Sequence, residues 1–137
     1  IPKTYAQKKD FWRKGNFIYG WDQLPYVMDD LVIVSGMKDG LVFWEATGLP
    51  FIAGSGEGCF KQIQKILPTL RRRAKRVWTL MDPDGPGVMA TRVFQKEVNI
   101  PPLSFKFLDD RRDISDLSKC MGLKWMERKL HEAFNRT

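Results

Sequence analysis

A chain of 137 residues that is 43% hydrophobic can bury one core as a single domain. Its 23 Lys and Arg exceed its 16 Asp and Glu and give a formal net charge of +7, which favours a polyanionic partner. No apolar run approaches the roughly 18–20 residues of a membrane span, and two cysteines with one histidine cannot form a four-ligand zinc site. We therefore expect free thiols, a cytoplasmic location and no membrane partner. The Ile1-Pro2-Lys3 start indicates a piece of a longer protein.

Strands and helices alternate along the chain. Apolar runs predict strands at 31–34, 50–53 and 77–81. Helical periodicity predicts helices at 37–47, 60–70 and 88–98, and Pro68 should kink or end the second one early. Residues 103–108 predict a half-exposed edge strand, and 114–134 predict one or two helices broken at Gly122. The pattern predicts an α/β fold with a mostly parallel four-stranded sheet flanked by helices.

Three unusual stretches follow predicted strands, namely 35–39, 54–58 and 82–87. In open parallel sheets, ligands bind beyond the carboxyl ends of the strands, so these stretches are expected to form one site. Asp82 and Asp84 are two residues apart and can reach the same Mg²⁺ ion, which prefers oxygen ligands. The alternative is an Asx turn that caps the next helix, for which Asp84 alone suffices.

Two other interpretations of the Asp82–Asp84 pair are less consistent with the sequence. An EF-hand is excluded because its loop needs a carboxylate at the position that Val93 occupies, and because a strand precedes the loop. The Asp-x-Asp of haloacid-dehalogenase-type phosphatases usually continues with Thr or Val where this chain has Pro86.

The glycine-rich loop at 54–58 matches neither standard nucleotide-binding spacing. Cys59 stands where G-x-G-x-x-G needs glycine, and no Gly-Lys-Ser/Thr follows. Glu57 either favours the start of the following helix through the dipole or is an acid that faces the same cleft as Asp82.

Basic residues form three clusters, which are either phosphate-binding patches or solvated helix faces. They comprise Lys8, Lys9, Arg13 and Lys14; Arg71, Arg72, Arg73, Lys75 and Arg76; and Lys124, Arg128, Lys129 and Arg136.

In this order and spacing, the motifs resemble those of the Toprim domain, which primases, topoisomerases and related nucleases share. The stretch at 82–87 fits Asp-x-Asp-x-x-Gly fully, and 35–39 fits Glu-Gly-x-x-Asp except at the glutamate, which here is Ser35. Residues 112–116 look like the final acidic stretch, and 17–20 look like the segment that leads into phage-type primase Toprim domains.

The resemblance implies a Toprim-like (Rossmann-like) fold at 26–122, preceded by an aromatic and basic segment at 1–25 and followed by a C-terminal helix at 123–137. It implies the metal-dependent nucleotidyl transfer of a phage-type DNA primase, with Mg²⁺ or Mn²⁺ as cofactor. The implied partners are single-stranded DNA, nucleoside triphosphates and other modules of a longer chain, such as a zinc-binding or helicase module. The implied metal ligands are Asp82, Asp84 and Asp113, the catalytic acids are Asp39 and Glu57, and the nucleic-acid-binding residues are Lys38, Arg71, Arg72, Arg73, Lys75 and Arg76.

Ser35 is the departure from the family pattern. A hydroxyl with an unperturbed proton does neither job of that glutamate well near neutral pH, neither general acid/base catalysis nor metal binding. We hypothesise that Glu57, in the loop after the neighbouring strand, supplies the missing acid. The alternatives are a non-catalytic DNA-binding relic of the fold and a Toprim-type nuclease that uses the same acids on water.

Overall fold

The computed structural model describes residues 18–54 and 59–136, and strands and helices alternate along them. The strands are β1 (Ile18–Tyr19), β2 (Met28–Val34), β3 (Phe51–Gly54) and β4 (Ala74–Leu80). The helices are α1 (Met37–Thr47), α2 (Cys59–Arg73), α3 (Gly85–Val98), α4 (Ile114–Met121) and α5 (Leu123–Arg136), and one 3-10 turn, Trp21–Gln23, follows β1. In this described part of the chain, no helix is long and apolar enough to cross a membrane.

The described strands form one sheet in the order β1-β3-β2-β4. β2 is central and pairs in parallel with β3 and with β4, whereas β1 is antiparallel to β3. The predicted fold class, an α/β fold with a mostly parallel four-stranded sheet between helices, is therefore confirmed. The fourth strand is β1, so this part of the segment at 1–25 belongs to the sheet.

Both faces of the sheet are covered, which explains the uninterrupted apolar run of β2. Val32 and Val34 pack into a core with α1, α4 and α5, whereas Leu31 and Ile33 pack into a second core with α2 and α3. Successive side chains of a strand point to opposite faces, so each layer of helices receives alternate residues.

Helix α5 packs firmly on the first core. Its Met126, Leu130 and Ala133 recur at helical spacing and are 0–1% exposed, and Phe134 contacts Phe43 of α1 with a ring separation of 6.3 Å. Burying a side chain such as Leu130 contributes about 1.5–3 kcal/mol. The division of the chain at residues 25 and 122 stays a prediction.

The edge strand predicted at 103–108 is wrong. The chain makes only an isolated parallel bridge between Pro102 and Thr79, where the Thr79 N–H donates to Pro101 O (3.1 Å) and the Leu103 N–H donates to Thr79 O (2.8 Å). The two adjacent prolines lack N–H groups, which prevents a longer ladder. The alternating apolar residues instead fill the first core, as Phe105 and Phe107 do in an edge-to-face pair with centroids 4.9 Å apart.

Pro68 neither ends α2 early nor restricts it to residues 60–70, because the helix continues to Arg73. Leu67 and Leu70 on either side of the proline are buried in the second core, and tertiary packing of this kind overrides a local helix-breaking preference. Helix α3 likewise begins at Gly85, three residues before the predicted start at Val88.

Candidate metal centre

Two adjacent parallel strands bring separate acidic motifs to one edge of the sheet. β2 and β4 pair in register up to Val34 beside Leu80. The chain after β2 enters α1 through Ser35, and the chain after β4 carries Asp82 into the turn before α3. Because the carboxyl ends of neighbouring parallel strands open at the same edge, the two loops line one space.

Asp39 lies in the first turn of α1 and is only 5% exposed. Its Oδ1 accepts a 3.1 Å hydrogen bond from the backbone N–H of Ser115, the second residue of α4. Burial raises the pKa of Asp39 to about 7, and the neighbouring Asp82 and Asp113 carboxylates add to the rise. Asp39 therefore keeps its proton to near-neutral pH unless a cation offsets the surrounding negative charge.

Asp82 follows β4 and is half-buried. Burial raises the pKa of its carboxyl group, and the hydrogen bond from the Asp39 carboxyl opposes that rise. Asp39 thus holds a proton and donates it in a hydrogen bond to Asp82, as expected for two acids that are too close for both to ionise freely.

Asp113 is the N-cap of α4. Its Oδ1 accepts from the Asp116 N–H at 2.8 Å, and Asp116 Oδ2 accepts from the Asp113 N–H at 3.2 Å, which completes a capping box. The capping box fixes the start of α4, whose Ser115 N–H binds Asp39. The sequence analysis missed this box, although Asp-x-x-Asp before an apolar residue is a signal for it.

Asp39, Asp82 and Asp113 form a cluster in which one carboxylate oxygen of each lies within 4.8 Å of the others. Two oxygens bound to one Mg²⁺ are at most about 4.2 Å apart, because each Mg–O distance is about 2.0–2.1 Å. Small side-chain rotations would bring the three groups to that spacing. A divalent cation would also offset the repulsion that raises the pKa of Asp39. The donor set therefore fits Mg²⁺ or Mn²⁺, with these three aspartates as the residues that would hold it.

Asp84 is placed outside this three-residue cluster. It is exposed and forms the N-cap of α3, where its Oδ1 accepts from the Gly87 N–H at 2.8 Å. This is the capping arrangement that the sequence left as an alternative. Its role as a metal ligand stays a prediction.

Gly87 has a steric reason to be glycine. A Cβ atom at this position would lie 1.9 Å from the backbone oxygen of Asp82, far inside any van der Waals contact. The first turn of α3 can therefore close against the Asp82 backbone only without a side chain there. This explains the final glycine of the Asp-x-Asp-x-x-Gly pattern.

Ser35 holds the two acidic loops together. Its Oγ accepts a 2.8 Å hydrogen bond from the Asp82 N–H and lies 3.5 Å from Met81 Sδ, to which it donates. The residue at the family's glutamate position thus orients the loop that carries Asp82. The sequence analysis did not find this role, because it depends on the pairing of β2 with β4.

Two further predicted site residues are Lys38 and Glu57. Lys38 precedes Asp39 in α1 and is exposed, at the same edge of the sheet as the acidic cluster. Its role in binding nucleic acid stays a prediction. Glu57 lies outside the described residues, and its role as a catalytic acid stays a prediction.

The basic residues at 71–76 lie at the opposite end of the sheet from the acids. They end α2 and begin β4, and Arg76 is six residues before Asp82, or about 20 Å along an extended strand. The structure therefore does not bring this cluster to the metal centre. Its role in binding nucleic acid stays a prediction.

Each side chain of this cluster has a protein partner. Arg73 donates to the carbonyls of Leu24 and Pro25 and stacks over Trp21 and Tyr26. The other partners are the Val98 carbonyl for Arg71, Thr69 Oγ1 for Arg72, Asp29 for Lys75 and Asp30 for Arg76.

The fold is similar to that of a phage primase. A structure of bacteriophage T7 lagging-strand DNA polymerase interacting with the primase domains of two gp4 subunits, bound to an RNA/DNA hybrid and dTTP, matches with a TM-score of 0.62. The match covers 85% of this chain and 58% of that chain at 16% sequence identity. No protein-family model and no curated protein matches the sequence. The likeness therefore shows the fold, a primase Toprim-like α/β fold, which agrees with the motif resemblance.

Proposed function

We propose that this chain is the metal-dependent nucleotidyl-transfer module of a phage-type DNA primase, which synthesises primers on single-stranded DNA. The observation that carries the proposal is the cluster of Asp39, Asp82 and Asp113, whose carboxylate oxygens lie within 4.8 Å of one another at the carboxyl edge of the sheet. The likeness to the T7 primase domains supports it, since those domains are bound to an RNA/DNA hybrid and dTTP. We propose the corresponding partners: DNA, nucleoside triphosphates and further modules of a longer chain.

The residues of the cluster have different tasks in this proposal. A bound Mg²⁺ would supply the charge neutralisation that a triphosphate and its leaving group need. Asp82 and Asp113 offer half-buried carboxylates as ligands, with Asp84 as a further ligand if its side chain leaves the cap. Asp39 keeps its orientation through the Ser115 N–H and holds a proton on its carboxyl group until the cleft gains positive charge.

Glu57 is our candidate for the acid that Ser35 does not provide. β3 lies beside β2 and parallel to it, with Val34 opposite Ala53. The loop that contains Glu57 therefore starts at the same edge as Ser35, about 4.8 Å away across one strand spacing. A glutamate side chain can cross such a gap.

The test is a primer-synthesis assay on a single-stranded template with nucleoside triphosphates and Mg²⁺ or Mn²⁺. We expect short products from the chain, and none from Asp82→Asn. The matched control Asp110→Asn removes the same charge from an exposed aspartate that is outside the cluster, and it should keep the activity. An Asp82→Asn variant as active as the wild type would contradict the proposal, and nicking of the template in place of synthesis would establish the nuclease alternative.

The serine at position 35, where the family has a glutamate, favours a second candidate function, a DNA-binding relic of the fold without catalytic activity. Glu57→Gln and Ser35→Glu separate the two. If Glu57 is the missing acid, Glu57→Gln abolishes synthesis and Ser35→Glu restores part of it in that background. If the wild type is inert and only Ser35→Glu is active, the chain is a relic and Glu57 has no catalytic role.

A further inference from the structure

Three depressions connect across the amino-terminal half of β4, and we name them together the edge groove. The largest, of about 1010 Å³, lies between α5 and the sheet face that carries Arg76 and Trp78. Both residues also line the second depression, of about 330 Å³, at the edge of β4. The third, of about 520 Å³, shares Arg71 and Asn99 with the second.

Helix α5 presents a row of hydrogen-bond donors to this groove. Lys124, Arg128, His131 and Asn135 all line it, and their spacing of four, three and four residues places them on one face of the helix. Among the described residues, neither Lys124 nor Arg128 is in an ion pair. In contrast, Lys129 and Arg136 outside the groove both pair with Glu132.

An aromatic side chain faces this row in a fixed orientation. Trp78 is half-buried and donates its indole N–H to Asp30 Oδ1 at 2.9 Å. The same Asp30 carboxylate holds Arg76 through two contacts, of 2.8 and 2.9 Å. Asp30 thus orients a ring and a guanidinium side by side, so little conformational entropy remains to be lost when a ligand stacks there.

We propose that the edge groove binds single-stranded nucleic acid, with a base stacked on Trp78 and backbone phosphates on Lys124 and Arg128. Aromatic platforms among cations are the means by which proteins bind single strands without reading sequence. The proposal rests on the proposed function, and it adds a binding site in the amino-terminal half of β4, whose stacking residue Trp78 lies four residues before Asp82, or about 13 Å along an extended strand. This site would hold template that has not yet reached, or has already left, the metal centre.

The charges of the groove favour a polyanion over an extended peptide that adds to the edge of β4. Four acids line the groove, and two of them are in ion pairs, Asp30 with Arg76 and Glu132 with Lys129 and Arg136. The other two are Glu97 and Glu127. Six cations line the same groove, namely Arg71, Lys75, Arg76, Lys96, Lys124 and Arg128. The formal net charge of +7 points in the same direction.

The test measures the salt dependence of binding of a labelled oligothymidylate to the whole chain. Removing two phosphate contacts in the double variant Lys124→Ala, Arg128→Ala should reduce the slope of log affinity against log salt by about 1.4, since each single-strand contact contributes about 0.7. The matched control is Lys61→Ala, Lys65→Ala, which removes two exposed lysines of α2 at the same four-residue spacing. We expect the control to keep the wild-type slope.

Stacking on Trp78 is tested separately. Trp78→Leu should weaken oligothymidylate binding about tenfold, whereas Trp78→Phe, which keeps a ring, should stay within about threefold of wild type. An abasic oligonucleotide, which has phosphates without bases, should bind all three proteins equally. Thermal unfolding of each variant is the control for a retained fold.

The outcomes distinguish this site from the proposed function. Asp82→Asn should abolish primer synthesis and leave oligothymidylate binding intact. Three results would each overturn the groove proposal, whatever the synthesis assay shows. They are groove variants that bind as the wild type does, equal slopes for the groove and control pairs, and no binding by the wild type. Binding that depends on the groove in a chain without synthesis would support the groove and refute the proposed function alone.

Discussion

Replacing Asp39 by Asn should make the metal-free protein more stable at neutral pH. The folded-state pKa of Asp39 is about 7 against an ordinary value of 3.8. The unfolded chain therefore releases this proton at lower pH than the folded chain does. From about pH 4 to about pH 7 the folded state binds more protons, so this group makes the free energy of unfolding fall as pH rises. Above about pH 7 its contribution is constant.

The size of the effect follows from the pKa difference. A shift of about 3 units at about 1.36 kcal/mol per unit gives at most about 4 kcal/mol. The neighbouring Asp82 and Asp113 are only half-buried, so solvent screening reduces this to about 2 kcal/mol. Asn keeps an oxygen that can accept from the Ser115 N–H, so the substitution removes charge without removing that hydrogen bond.

Urea unfolding at several pH values between about 4 and 8, with a chelator present, measures the effect. The difference in unfolding free energy between Asp39→Asn and the wild type should grow from near zero at the acid end to about 2 kcal/mol at neutral pH. Saturating Mg²⁺ should stabilise the wild type more than the variant, because a ligand stabilises the state that binds it. Parallel pH profiles for the two proteins would refute the reasoning.

Three other substitutions test the loops around the cluster. Gly87→Ala should destabilise the protein by about 1–3 kcal/mol because its Cβ would meet the Asp82 carbonyl oxygen at 1.9 Å. Gly85→Ala, where a Cβ has open space, is the matched control. Equal melting temperatures for the two variants would contradict this reasoning. Asp84→Ala should lower the free energy of unfolding by about 1 kcal/mol through loss of the α3 cap, and Asp84→Asn should leave it almost unchanged. A fall in metal affinity in Asp84→Asn would show that Asp84 also reaches the ion. Ser35→Ala should cost about 1–3 kcal/mol in denaturant unfolding because it leaves the Asp82 N–H without its acceptor, and an unchanged stability would show that the hydrogen bond is not made.

The sequence was sufficient for the alternation of β2, β3 and β4 with α1, α2 and α3 and for a sheet covered by helices, but not for β1. The apolar run at 31–34 predicts a strand covered on both faces, and β2 is such a strand. The expectation at 103–108 was wrong because alternation of apolar residues also fits an irregular segment that packs two phenylalanines, and the preceding Pro101 and Pro102 were the available signal. The early end of α2 at Pro68 was wrong because tertiary burial of its neighbours decides the helix length.

Motif order also indicated which acids would meet, but not how they are held. Asp39, Asp82 and Asp113 come from three separate stretches and converge, whereas Asp84, which the resemblance also implies as a ligand, caps α3. The roles of these residues stay predictions. The hydrogen bond of Ser35 and the cap by Asp84 depend on the register of β2 with β4 and on the close approach of α3. Neither is visible in the linear sequence. The distance of the basic residues at 71–76 from the acids was foreseeable, since they precede the strand that Asp82 follows.

A divalent-cation titration tests the central claim, that the aspartate cluster holds a metal ion, most directly. Mn²⁺ binding to the metal-free chain, followed by electron paramagnetic resonance, should saturate, with Mg²⁺ competing. Asp82→Asn and Asp113→Asn should each weaken the affinity at least about tenfold, in the range of a lost carboxylate ligand, and the control Asp110→Asn should not. Unchanged affinity in a double Asp82→Asn, Asp84→Asn variant, or no saturable binding by the wild type, would contradict the account.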